Sequence, residues 1–374
     1  MNRIDRLTSA RRVVVKVGTS TITHPTGQLN LHQMERLVRA LVDLKNGGRE
    51  VLLVSSGAVG AGAGKLGGIK PTSIPQKQAM AAIGQGALMH MYEKFFAEYG
   101  KTTGQVLLTR EDLADRRRHL NARNTLFAML EYGAIPVINE NDTVAVDEIR
   151  FGDNDTLGAL VATLVDADLL ILLSDIDGLY NVNPREDAGA CRLEQVDQID
   201  EEILALAGEG GATDFATGGM LTKLQAGRIA TNGGVSMVIA NGSEEGILRR
   251  ILSGEVCGTF FSPQDQRQTS RKCWLAWSTM PKGHLTVDEG AVRALTRSGR
   301  SLLPIGITAV QGTFDVGSVV VVADPAGQPL ARGIVNYSSE DIRRIAGKKT
   351  GEIAGILGEK DYDEVIHRDN LSLV

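Results

Sequence analysis

A lysine interrupts an otherwise apolar run near the start of the chain, Val13-Val14-Val15-Lys16-Val17, and Gly18, Thr19 and Ser20 follow it. An ammonium group among β-branched side chains is costly to bury unless it meets an anion. Either Lys16 faces solvent from an edge strand or it reaches a phosphate, and the apolar flanks on both sides favour the phosphate. Much later, Thr217-Gly218-Gly219-Met220-Leu221-Thr222-Lys223 opens a helical stretch that runs to about Thr231. Two glycines, two hydroxyls and a lysine at a helix start make an anion site. The competing reading is a glycine-rich connection with a solvated lysine.

Between these lysines lie four more polar loops, each next to an apolar run or helical stretch. They are Ser55-Ser56-Gly57-Ala58, Asn139-Glu140-Asn141-Asp142, Gly152-Asp153-Asn154-Asp155, and Ser174-Asp175-Ile176-Asp177-Gly178-Leu179-Tyr180. The first is equally well an ordinary glycine turn. Turn chemistry accounts for part of the polar density in the second and third, and poorly for all of it. The familiar nucleotide motifs fail. A P-loop ending at Gly64-Lys65 would need glycine where Val59 stands and a hydroxyl where Leu66 stands. Gly62-Ala63-Gly64-Lys65-Leu66-Gly67 matches GxGxxG, but it begins well after the preceding strand has ended. It also lacks the acidic residue expected about 20 positions on. It is a coincidence of glycine-rich sequence.

The elements that must position these loops alternate in type. Val13–Val17, Val51–Val54, Gln105–Leu108, Ile135–Ile138, Leu169–Leu173 and Val235–Ile239 read as strands, and helical stretches separate them. Leu31, Met34, Leu37, Val38, Leu41 and Val42 recur at helical spacing, with Gly47 placed as a C-cap. Further helices are expected over 75–99 and 121–132. Such alternation predicts βαβ units in a mostly parallel sheet with helices on both faces, and ligands gather at the C-terminal ends of its strands. After about residue 261 the pattern changes: Ser262–Lys272 has no aliphatic residue, and short apolar runs separated by turn residues follow. The expected organisation is a catalytic domain over 1–261, a linker over 262–282, a small β-rich domain over 283–361 and a tail over 362–374.

Composition removes several functions. The chain has 374 residues, a net charge of −5 and 4% aromatics, which disfavours nucleic-acid or membrane attraction and base-stacking platforms. Its 43 glycines point to tight turns and to backbone that approaches a ligand. Cys191, Cys257 and Cys273 lie far apart and form no CxxC pair, so a reducing compartment is expected. No apolar run approaches the roughly 20 residues of a membrane span, and the basic N-terminus lacks a secretory apolar segment. A cytoplasmic location is expected.

Taken together, VVVKVGTS, LVSSGAVGAG, PVINENDTVAV, FGDNDTLGALVA, LLSDIDGLYNVNPR and TGGMLTKLQAG occur in the order seen in the amino acid kinase family, and the chain resembles its glutamate-phosphorylating members. The resemblance implies a three-layer αβα sandwich, and ATP and L-glutamate as substrates with Mg²⁺. It implies that Lys16 and Lys223 contact the phosphates and that Asp155 orients those lysines. Ser56, Asn154 and Asp142 would bind glutamate. Lys16, Ser174, Asp175 and Thr217, Gly218, Gly219, Met220, Leu221, Thr222 and Lys223 would bind ATP. Ligands for the metal are not identified. The same resemblance implies a homo-oligomer, dimer or tetramer, and proline as a feedback inhibitor in proline biosynthesis. Acetylglutamate or carbamate kinase-like members are the alternative within the family. The chemistry suits the loops: a side-chain carboxylate is already ionised at neutral pH and needs no general base, and none of the six histidines lies in them.

TVDEGAVRAL, SLLPIGITAVQGTF, GSVVVV and ARGIVNYSSEDIRRIAG resemble the PUA domain, a module that often binds RNA. From Gly283 to Val374, however, there are 10 Lys and Arg against 12 Asp and Glu. An RNA-binding face carries a positive stripe. A structural or regulatory role is therefore expected, with Arg343, Arg344, Lys348 and Lys349 as a solvated helix face.

Overall fold

The computed structural model describes residues 1–145, 154–182, 189–207, 219–264, 281–358 and 362–373, together with 184, 187 and 360. It divides into two compact units. The larger is formed by Met1–Asp112 and Arg117–Arg267, the smaller by Gln268–Val374 with Leu113–Arg116.

The larger unit is built on eight strands: β1 (Arg12–Val17), β2 (Glu50–Ser55), β3 (Thr103–Leu108), β4 (Ile135–Glu140), β5 (Leu169–Ser174), β6 (Gln195–Val196), β7 (Ser236–Asn241) and β8 (Thr259–Phe261). Their order is β3-β4-β2-β1-β5-β7-β8-β6. Every pairing is parallel except β7 with β8. Val13, Val14, Val15 and Val17 are wholly buried, as are Leu169 to Leu172, because helices cover both faces. From β1 the chain moves outward through β2, and from β5 it moves outward in the opposite direction through β7. The reversal lies between β1 and β5, the crevice where doubly wound sheets take their ligands. Lys16 sits in that central strand, in register with Val54 on one side and Leu172 on the other. The solvent-facing edge position is thereby excluded.

Helix Leu31–Asn46 buries Met34, Leu37, Val38, Leu41 and Val42 as its spacing predicts, and Asn30 caps it by accepting from the Gln33 amide at 3.2 Å. Gly47 is the C-cap, yet the left-handed residue is Gly48, at φ 85°. The glycine-rich segment after β2 forms helix Ala58–Lys65, which lies against the long helix Ile74–Glu98. A β-carbon on Gly62 would fall 1.9 Å from the Met80 carbonyl oxygen, and one on Gly84 1.8 Å from that of Ala58. These glycines bring two helix backbones together. The GxGxxG match is helical and not a nucleotide turn, and part of the glycine excess serves helix packing instead of ligand approach. Among the described residues no helix is long and apolar enough to cross a membrane.

The smaller unit holds a five-stranded sheet, β9 (Gly283–Val287), β10 (Ile307–Gly312), β11 (Val319–Ala323), β12 (Pro329–Ile334) and β13 (Leu371–Leu373), ordered β10-β9-β11-β12-β13. The expected tail is part of this unit. Leu371–Leu373 pairs antiparallel with β12, and Val365 and Ile366 are wholly buried in its core. Arg343 and Arg344 do not simply stand in solvent. Each donates to a backbone carbonyl, of Gly312 and Ile356 respectively. Most of the expected linker, residues 265–280 including Cys273, lies outside the described residues.

Candidate active site

Lys16 comes from β1, Asp155 from the first turn of helix Asn154–Leu164, and Lys223 from the first turn of helix Met220–Asn232. Their side chains meet. Lys16 Nζ pairs with Asp155 Oδ1, and Lys223 Nζ donates to Asp155 Oδ2 at 3.0 Å. Asp155 is 1% exposed, Lys223 4% and Lys16 7%. Thr222 Oγ1 lies 3.4 Å from the same Oδ2 and donates to the Gly219 carbonyl at 2.8 Å. Burial by itself would raise the Asp155 pKa. The ammonium groups of Lys16 and Lys223 outweigh it and hold the carboxyl below its ordinary value, so it stays ionised.

Local packing explains the convergence. Gly158 lies one turn into the Asp155 helix, and a β-carbon there would stand 3.3 Å from Lys16 Cβ. The bare backbone lets the helix close on the lysine stem. A β-carbon on Gly18 would sit 3.9 Å from Lys16 Nζ, so the ammonium curls over the C-terminal end of its own strand. The Gly18 amide donates to the Leu173 carbonyl at 3.2 Å, which ties this loop to the end of β5.

On the β5 side, Ser174 ends its strand and donates to Asp175 Oδ1 at 3.0 Å. Gly219 is the N-cap residue of helix Met220–Asn232, with Met220, Leu221 and Thr222 in the turn that carries Lys223. Thr217 and Gly218 lie outside the described residues. On the β2 and β4 side, Asn154 Nδ2 donates to Ser56 Oγ at 3.1 Å and to Asn139 Oδ1 at 3.2 Å. Asp142 follows β4 in a turn and is half-buried. Gly57, at φ 97°, makes the turn from β2 into helix Ala58–Lys65 that holds Ser56 in place.

The sequence reading missed three contributors. Asn139 was noted as part of a polar loop but had no role; it is 1% exposed and donates to Gln85 Oε1 at 2.7 Å. Gln85, on the long helix, carries no local signal at all. Tyr92 is wholly buried with its hydroxyl 2.9 Å from Ser55 Oγ, and burial pushes its pKa above the ordinary phenol value. The arrangement is a line of polar groups along the C-terminal strand ends, with amide and hydroxyl groups at one end, a serine–aspartate pair and a helix start at the other, and two lysines on one carboxylate between them. Such an arrangement suits the joining of two anions.

The model of the amino acid kinase family matches residues 11–241, and that of the PUA domain matches residues 283–357. A glutamate 5-kinase of Moorella thermoacetica is 58% identical over 366 residues, covering 98% of this chain and 97% of the relative. One from Caldanaerobacter subterraneus is 57% identical, over 96% and 97%, and one from Carboxydothermus hydrogenoformans 56%, over 98% and 99%.

Proposed function

The chain belongs to the amino acid kinase family, and from that premise we propose that it transfers the γ-phosphate of ATP to the γ-carboxylate of L-glutamate. The product is L-glutamyl 5-phosphate, and the step is the first in proline biosynthesis. The supporting observation is the convergence of Lys16 and Lys223 on the Asp155 carboxylate at the β1–β5 crevice.

Phosphoryl transfer asks the protein mainly for positioning and electrostatic stabilisation. The glutamate side chain is ionised at neutral pH and attacks without a general base. The obstacle is repulsion between a carboxylate and a polyphosphate. Lys16 and Lys223 offset it, and they gain most as charge spreads over the transferred group. Asp155 keeps both ammonium groups aimed at the crevice. Ser56, Asn154 and Asp142 hold the amino acid on the β2–β4 side. Ser174, Asp175 and the helix start from Gly219 to Lys223 hold the nucleotide on the β5–β7 side, and Thr217 and Gly218 share the nucleotide-binding role.

Magnesium fits as part of the nucleotide substrate. The Asp155 carboxylate is already committed to two lysines, and among the described residues no cluster of three His, Cys, Asp or Glu could hold an ion. Magnesium ordinarily keeps several waters and binds through nucleotide phosphates. The homo-oligomer and the inhibition by proline belong to the same reading, and sedimentation and proline titration of the activity would test them.

The deciding experiment traps the acyl phosphate with hydroxylamine in the presence of ATP and magnesium. Hydroxamate should form with glutamate and not with N-acetylglutamate or aspartate. Equal yield with N-acetylglutamate, or none with glutamate, would overturn the assignment.

A further inference from the structure

Ser56 and Asn154 can each serve a ligand as donor or acceptor, and their orientation decides which ligand they suit. That orientation is not free. The backbone N–H of Glu140 donates to Asn139 Oδ1 at 2.8 Å. A backbone amide cannot turn around, so Asn139 must present its oxygen there and its nitrogen to Gln85 Oε1, 2.7 Å away. The same Asn139 oxygen takes a hydrogen bond from Asn154 Nδ2 at 3.2 Å, which fixes Asn154 in turn. Asn154 Nδ2 also donates to Ser56 Oγ at 3.1 Å.

Two loose ends remain. Asn154 Oδ1 is enclosed and has no hydrogen-bond partner among the described residues. Ser56 accepts through its oxygen, so its own proton is left for another acceptor. An enclosed polar atom without a partner is unfavourable, and a bound donor would relieve it. One waiting acceptor beside one waiting donor complements an ammonium beside a carboxylate.

We propose that Asn139, backed by Gln85, is a positioning residue that sets the hydrogen-bond polarity of the acceptor pocket, so that Asn154 and Ser56 recognise the zwitterionic end of a free α-amino acid. The Asn154 oxygen takes the α-ammonium, and the Ser56 hydroxyl donates to the α-carboxylate. This deepens the reading given under Proposed function and rests on it for the place of the substrate. Without the Asn139 oxygen, Asn154 is free to turn its amide, and the pocket loses its preference for an ammonium.

The test compares glutamate with glutarate, which lacks the α-ammonium, by calorimetric binding and by the hydroxamate assay. Asn139→Leu should weaken glutamate binding about tenfold to a hundredfold, as expected for an oriented pair of hydrogen bonds. Its glutarate affinity and ATP KM should stay within about twofold, so that discrimination collapses. Asn139→Asp keeps the acceptor for both the Glu140 amide and Asn154, and Gln85 can turn its own amide to donate; discrimination should return. Gln85→Leu should give a smaller shift in the same direction, and it decides the matter if the Asn139→Leu protein does not fold. Unchanged discrimination in the folded variants would overturn the relay, as would an ATP KM that rises in step with that of glutamate. Wild-type protein that binds glutamate but transfers no phosphate would sink the kinase reading and leave the relay standing.

Discussion

Replacing Asp155 by Asn should be among the most damaging single changes in the larger unit, although it alters only a few atoms. The carboxylate lies between two ammonium groups that are each more than nine-tenths buried. Neutralising it leaves both cations facing each other at a separation on the order of 6 Å. At an effective dielectric of about 20 that repulsion is roughly 3 kcal/mol. Removing one partner of a buried ion pair typically costs about 3–5 kcal/mol, so the two estimates agree. For a unit of this size the loss corresponds to a fall in Tm of roughly 6–20 °C. The assay is calorimetric melting at neutral pH of wild type, Asp155→Asn, Lys16→Met and the double variant. Because the double variant has no uncompensated Lys16 charge, it should melt above the sum of the two single effects, with a coupling of at least about 1 kcal/mol. Additive single effects, or an Asp155→Asn variant within about 1 kcal/mol of wild type, would refute the claim that this carboxylate holds the two lysines.

Lys223→Ala should lower kcat about 10²- to 10³-fold with little change in glutamate KM, as expected for a group that acts on transition-state charge; near-normal turnover would remove it from the mechanism. Asp142→Ala should chiefly raise glutamate KM, and a matching rise in ATP KM would contradict its place on the amino-acid side. Gly84→Ala should destabilise by several kcal/mol, since its β-carbon meets the Ala58 carbonyl at 1.8 Å. Gly86→Ala, two residues on with nothing near its β-carbon, should instead stabilise by about 0.5–1 kcal/mol; melting curves of the pair check both. The pH dependence follows from the lowered Asp155 pKa. The unfolded carboxyl titrates near its ordinary 3.8 and the folded one below it. The contribution is therefore full above about pH 4 and is lost as pH falls through the folded value. Acid melting series should show wild type losing more stability than Asp155→Asn as the pH falls below about 4.

The alternation of apolar runs with amphipathic stretches was enough to place six of the eight strands of the larger sheet, their parallel character and the loops at their ends, while the short β6 and β8 gave no such signal. Continuous burial of β-branched residues requires cover on both faces, and that cover can only come from the intervening helices. Lys16 was legible for the same reason, because a charge inside such a run must be compensated. Apolar spacing could not say what compensates it; only the family resemblance pointed to Asp155. The Asp155 carboxylate lies far along the chain from either lysine, and only the order β2-β1-β5-β7 brings the end of β1 and the two helix starts to one crevice. The sequence context rightly discounts the GxGxxG match at 62–67, but the packing role of its glycines is hidden for a similar reason. A β-carbon on Gly62 would meet the Met80 carbonyl of a second helix, and one on Gly64 the backbone at Gly27, neighbours that local sequence does not reveal. Asn139 and Gln85 were invisible as a pair, since a hydrogen bond between a strand end and a distant helix leaves no spacing to read. Local patterns determined what each segment is, because burial and periodicity act within a few residues. Tertiary folding decided which polar groups meet, because the partner of a buried charge or amide is chosen by the path of the backbone through space.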